Sequence, residues 1–67
     1  AGNKTEAMDY FQASLTIKPD NPEALFYVGR LYQDAGDTDN ANSMFDKVVN
    51  EFPDSEYVDR AKNARGY

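Results

Sequence analysis

Apolar residues along this chain recur at intervals of three and four, and no stretch shows the two-residue alternation of a strand. Between residues 22 and 35, Leu25, Val28, Leu31, Tyr32 and Ala35 fall on one side of a helix. Ala41, Met44, Phe45, Val48, Val49 and Phe52 do the same in the next segment. An earlier stretch beginning at Asn3 offers Ala7, Tyr10, Phe11, Leu15 and Ile17 to the same core, and a last one offers Tyr57, Val58, Ala61 and Ala64. Four helices are predicted, the last with the thinnest apolar stripe.

Their ends are written in local chemistry. Asn3 with Glu6 three residues on has the form of a capping box, and Pro19 stops the helix that follows. Asn21 and then Pro22 start the second, because proline at the first helical position forfeits an amide that had no partner. Gly36 supplies a left-handed residue after Ala35, Asp37 caps the third helix, and Pro53 closes it beyond Glu51. Asp54 or Ser55 is expected to begin the fourth. The links are only a few residues long, so neighbouring helices form antiparallel hairpins. Gly29, in mid-helix, costs roughly 1 kcal/mol against Ala and implies a close approach of another helix.

The pattern also repeats. A shift of 34 positions superposes Gly2 on Gly36, Ala7 on Ala41, Phe11 on Phe45, Pro19 on Pro53 and Asp20 on Asp54. A turn-former, a small residue, an aromatic and a helix-stopping proline in the same order mark a repeated supersecondary unit. Residues 1–21 read as the second half of one unit, 22–55 as a complete unit, and 56–67 as a capping helix or the first helix of the next. On this reading the chain is a piece of a longer array.

Composition narrows the chemistry. The 67 residues carry 12 acidic and 7 basic side chains, a net charge of −5, and no Cys or His. Disulfides, thiolate metal sites, cysteine nucleophiles and histidine general bases are therefore excluded. Ser14, Ser43 and Ser55 have nothing to activate them, and no glycine-rich phosphate cradle is present, so no enzymatic activity and no cofactor are expected. The acidic balance argues against nucleic acid as a partner, and no apolar run approaches the roughly 20 residues that span a bilayer. Asp34, Asp37 and Asp39 invite a calcium reading, but an EF-hand loop would need an oxygen ligand at 41 and Gly at 42, where Ala41 and Asn42 stand. Asp37 and Asp39 fit better as residues favouring the start of the third helix.

Residues 22–55 resemble a tetratricopeptide repeat. Leu25, Val28, Gly29 and Tyr32 match the large apolar, Leu, Gly and Tyr positions of that family's first helix. Ala41, Phe45 and Pro53 match the Ala, aromatic and closing Pro of its second, with Val48 in place of a usual small residue, and Ala7, Phe11 and Pro19 repeat the signature upstream. The resemblance implies an all-α fold of antiparallel helix pairs stacked as a short right-handed superhelix. The last segment fits if three residues are added, Gly29 to Gly66 being 37 apart. Phe52 to Tyr57 followed by Ala61 then looks like the longer repeats of bacterial envelope proteins, among them outer-membrane assembly lipoproteins and the periplasmic factor of the Tol-Pal system. That likeness implies the periplasm; the alternative is a polar capping helix over 54–65 with Gly66 as its stop.

Opposite the apolar stripe of the second helix, spacing gathers Glu23, Phe26, Tyr27, Arg30, Gln33 and Asp34. In the resembled family this side of the first helix is the concave, ligand-facing one. These residues, with Arg60 from the fourth helix, are the candidate binding site for a peptide or partner protein. The alternative reading of Phe26 or Tyr27 is packing on the first or fourth helix. The family's clamp for a terminal carboxylate is not implied, since Phe26 and Arg30 stand where it has Lys and Asn. From Asp34 to Asp59 there are eight acids and one base, Lys47, whereas Arg60, Lys62 and Arg65 crowd the carboxyl end. The competing functional reading is a structural spacer, or weak self-association through exposed repeat ends.

Overall fold

A computed structural model describes residues 3–18 and 20–66. Four helices follow one another: α1 (Asn3–Ile17), α2 (Pro22–Asp34), α3 (Thr38–Glu51) and α4 (Tyr57–Arg65), with no strand among the described residues. Gly2, the Asn3 side chain and Pro19, which carried part of the repeat and capping argument, lie outside them.

The caps at both ends of α2 and at the start of α3 are those the local chemistry calls for. Asn21 holds an extended backbone (φ −112°, ψ 96°), and its side-chain oxygen accepts the Ala24 amide at 3.2 Å while Pro22 opens α2. At the other end Gly36 takes φ +81°, the Asp37 amide reaches the Tyr32 carbonyl at 2.8 Å, and the Gly36 amide reaches that of Gln33 at 3.0 Å. This pair of bonds is a Schellman closure, which turns the chain sharply into α3. Asp37 caps α3 by accepting the Asn40 amide at 3.4 Å and, more tightly, the Asn40 side-chain amide at 2.7 Å. Gly66, φ +91°, ends α4.

The start of the fourth helix is corrected. It begins at Tyr57 rather than at Asp54 or Ser55. The Ser55 hydroxyl accepts the Tyr57 amide at 3.1 Å and the Ser55 carbonyl accepts the Val58 amide, so a side-chain turn occupies the residues that a helix would have used.

α2 is the hub, in contact with all three other helices; α3 also packs on α4, and among the described residues the backbone of α1 comes close to α2 alone. Leu25, Phe26, Ala41, Phe45, Val48, Val58 and Ala61 form the core, and Phe45 and Val48 are completely buried. The larger Val48 is accommodated within the cluster that holds the small Ala61. Gly29 is required by Phe45: a Cβ built there would lie 2.6 Å from Phe45 Cε1 and 2.9 Å from Cδ1, well inside van der Waals contact.

The first helix departs from expectation. Phe11 and Leu15 are partly covered, but Tyr10 is 68% exposed and Ile17 86% exposed. With α2 as its one neighbour, α1 can bury a single face, and residues 10 and 17, two turns apart, share the opposite one.

α4 is tied down by Val58, Ala61 and a forked ion pair. Arg65 Nε donates to Asp46 Oδ1 at 2.6 Å and its Nη2 to Oδ2 at 3.3 Å, with each side chain about one-third exposed. No described helix is long and apolar enough to cross a membrane.

Two outcomes follow from this packing. Gly29→Ala should lower stability by about 1–3 kcal/mol through overpacking, in spite of the roughly 1 kcal/mol that Ala contributes as a helix former. Urea denaturation measures this, and Phe45→Leu in the same chain should cost less in the Gly29→Ala background than in the wild type. Asp46→Asn should cost about 0.5–1 kcal/mol, the modest worth of a pair that water still reaches, with the difference shrinking at high salt.

Candidate functional site

Two α2–α4 contacts place the candidate residues. The Tyr57 hydroxyl donates to Glu23 Oε2 at 3.3 Å near the start of both helices, and Gln33 Nε2 donates to the Ala64 carbonyl at 2.7 Å near their ends. The outer surface of α2 is thereby joined to α4 in one continuous face.

An aromatic cluster runs through it. Phe26 is 7% exposed and belongs to the core, its ring centroid 5.9 Å from Phe45 and 5.6 Å from Tyr57. Tyr27, the next residue, stands 37% exposed. It stacks nearly parallel on Phe11 of α1 at 5.3 Å, and meets Phe26 edge-on at 5.5 Å and Tyr57 at 6.4 Å. Phe11 and Phe45, equivalent in the 34-residue register, thus approach α2 from different sides, one propping Tyr27 and the other covering Gly29. The Arg60 guanidinium lies over the Tyr57 ring, 5.2 Å from its centroid.

The seven candidates therefore divide. Tyr27, Arg60 and Glu23 are brought together around Tyr57, while Arg30 is exposed on the same side of α2, one turn beyond Phe26. Phe26 forms the floor beneath them rather than an open contact. Gln33 is spent on the helix–helix bond, and Asp34 sits exposed at the end of α2.

Sequence reasoning overlooked Tyr57 and Phe11 as parts of this face. A signal for the first lay in its place as an aromatic in the opening turn of the last apolar stripe, beside Val58 and one turn before Ala61. Phe11 carried none, because its role depends on which side of α1 is covered.

Burial, the largest influence, together with the charge of Glu23, holds the Tyr57 phenol above its ordinary value near 10. The neutral phenol donates its proton to Glu23, whereas a phenolate beside that carboxylate would be repelled. The native state thus keeps the proton after the unfolded chain has released it. The contribution to stability is complete below pH 10 and falls as pH rises from 10 through the native value.

Helix hairpins that share apolar flanks, with one helix of each pair presenting an open face, define a helical-repeat interaction module. A tetratricopeptide-repeat family model matches residues 1–64, and the chain belongs to that family. The match is to the repeat family as a whole and does not single out its envelope type. No curated protein sequence and no solved structure matches the chain. Repeats of this family generally mediate protein–protein interaction and are typically non-enzymatic.

The Tyr57 geometry has a direct check. Ultraviolet titration near 295 nm, compared with a Tyr57→Phe chain, should assign to Tyr57 a phenol ionising above pH 10. Glu23→Gln should move it back toward the ordinary value.

Proposed function

We propose that the chain binds a peptide or partner protein across the concave face formed by α2 and α4. Tyr27 supplies the aromatic contact, with Phe26 and Tyr57 as its floor. Arg30 and Arg60 supply guanidinium donors for a carboxylate or main-chain carbonyl, and Glu23 and Asp34 mark the two ends of the α2 face. The observation that carries this reading is Tyr27 itself. It is a large aromatic left more than one-third exposed, yet stacked on Phe11 and bounded by Phe26 and Tyr57, so little side-chain freedom remains to be lost on binding. Gln33 supports the face indirectly, by fixing α4 beside α2. The reading retains the division at 21/22 and 55/56, with residues 22–55 as the complete repeat and α4 flanking it. Affinity should be modest, because so short an array presents less than the roughly 800 Å² per partner of a standard interface.

A second reading, structural spacing or self-association, draws support from the exposed Tyr10 and Ile17 on α1. One experiment separates the two. Peptides selected on the wild-type chain from a displayed library should bind Tyr27→Ala and Arg30→Glu at least about tenfold more weakly, with helical circular dichroism unchanged. Equal binding by both variants would remove the concave-face assignment. A sedimentation coefficient that depends on Arg30, with no enriched peptide, would favour self-assembly.

A further inference from the structure

The reverse side of α2 carries a separate feature. Among the described residues α1 and α3 both pack on α2 with no close backbone approach to each other, and between them lies an open cleft of about 260 Å³. Leu25 forms its floor, Leu15 and Thr16 line it from α1, and Met44 and Lys47 line it from α3. Spacing puts Leu25 on the side of α2 away from Glu23, Arg30 and Asp34, so this cleft and the concave face are distinct. We propose that the cleft is a second docking site and takes a segment of a partner protein bearing an aliphatic side chain next to a carboxylate.

Three observations select that occupant. The volume greatly exceeds the roughly 30 Å³ share of one water, and three of the five described lining side chains are Leu or Met, so an aliphatic group gains by entering. Met44 is unbranched and adapts to the shape of what enters. The polar chemistry is one-sided. The Thr16 hydroxyl donates to the Gln12 carbonyl at 3.0 Å, and Lys47 is the charged residue among the described lining. Lys47 is also the single base among the eight acids between Asp34 and Asp59, so a carboxylate is repelled along that stretch except where Lys47 stands. Attraction of this kind is local, screened beyond about 8 Å at physiological salt. A second copy of the chain is the weaker candidate, since it brings a net charge of −5 against −5.

The site does not rest on the concave-face reading and is tested separately. The ¹⁵N-labelled chain is titrated with a blocked pentapeptide containing a central leucine–aspartate pair. A leucine–lysine peptide, sodium octanoate and dilution of the protein alone serve as comparisons. Saturable shifts are expected for the amides of Leu15, Thr16, Leu25, Met44 and Lys47 with the first peptide. The leucine–lysine peptide should bind at least about fivefold more weakly, and Lys47→Glu should weaken the leucine–aspartate peptide about tenfold with helicity unchanged. Lys47→Met keeps the aliphatic stem and should give an intermediate loss. The proposal is overturned if both peptides bind alike, if the shifts map to Tyr27 and Arg30, or if neither lysine variant changes affinity. Response to octanoate but not to the peptide would assign the cleft to a small amphiphile. Shifts that follow protein concentration alone would assign it to a second copy. Either result overturns the assignment to a partner segment.

Discussion

The packing of Phe45 against the bare backbone of Gly29 is the constraint on which the rest depends. A completely buried ring lies where any other residue would place a Cβ, so α2 and α3 approach at a separation set by an aromatic face rather than by two interleaved side chains. Phe45 is in turn one of the surfaces against which Phe26 rests, and Phe26 is the base from which Tyr27 and Tyr57 are presented. Glycine in the middle of a helix weakens that helix in isolation; here the weakness is offset by the burial it permits.

Core and surface are consequently hard to separate in this molecule. Adjacent aromatics on α2 do opposite things, Phe26 facing inward and Tyr27 outward, and the outward one is fixed by rings from α1 and α4 on either side. Polar contacts reinforce the arrangement without dominating it. The bond from Tyr57 to Glu23 and that from Gln33 to the Ala64 carbonyl pin α4 to α2 at two heights, and the Arg65–Asp46 fork pins it to α3. Each is modest alone, but together they hold a nine-residue helix with a thin apolar stripe that would be marginal by itself.

Most of the helix layout was legible because it is encoded locally. Asn21–Pro22, Gly36–Asp37 and Gly66 act through their own backbones and immediate neighbours, and a single sequence carries that information in full. The start of α4 was misplaced because Ser55 can serve either as a cap or as the acceptor of a tight turn, and the choice depends on how the chain leaves α3. The faces of α1 were only half legible. Periodicity identifies Tyr10 and Ile17 as apolar, but burial requires a neighbour, and the neighbour α2 lies on the Phe11 side. At the candidate site, spacing gathered the α2 residues on one side, but could not separate the buried Phe26 from the exposed Tyr27 or foresee that Gln33 would be committed to a carbonyl on another helix.

α1 touches the remainder of the described chain through α2 alone, and its Phe11 is the support behind Tyr27. Local opening of α1 would therefore take away the ring stacked on Tyr27 while leaving the three-helix remainder packed. By linkage, anything that grips Tyr27 in its stacked position must also hold α1 shut, and anything that holds α1 shut must sharpen the grip. If Tyr27 binds as proposed, that pair of rings couples the opening equilibrium of one helix to binding on another.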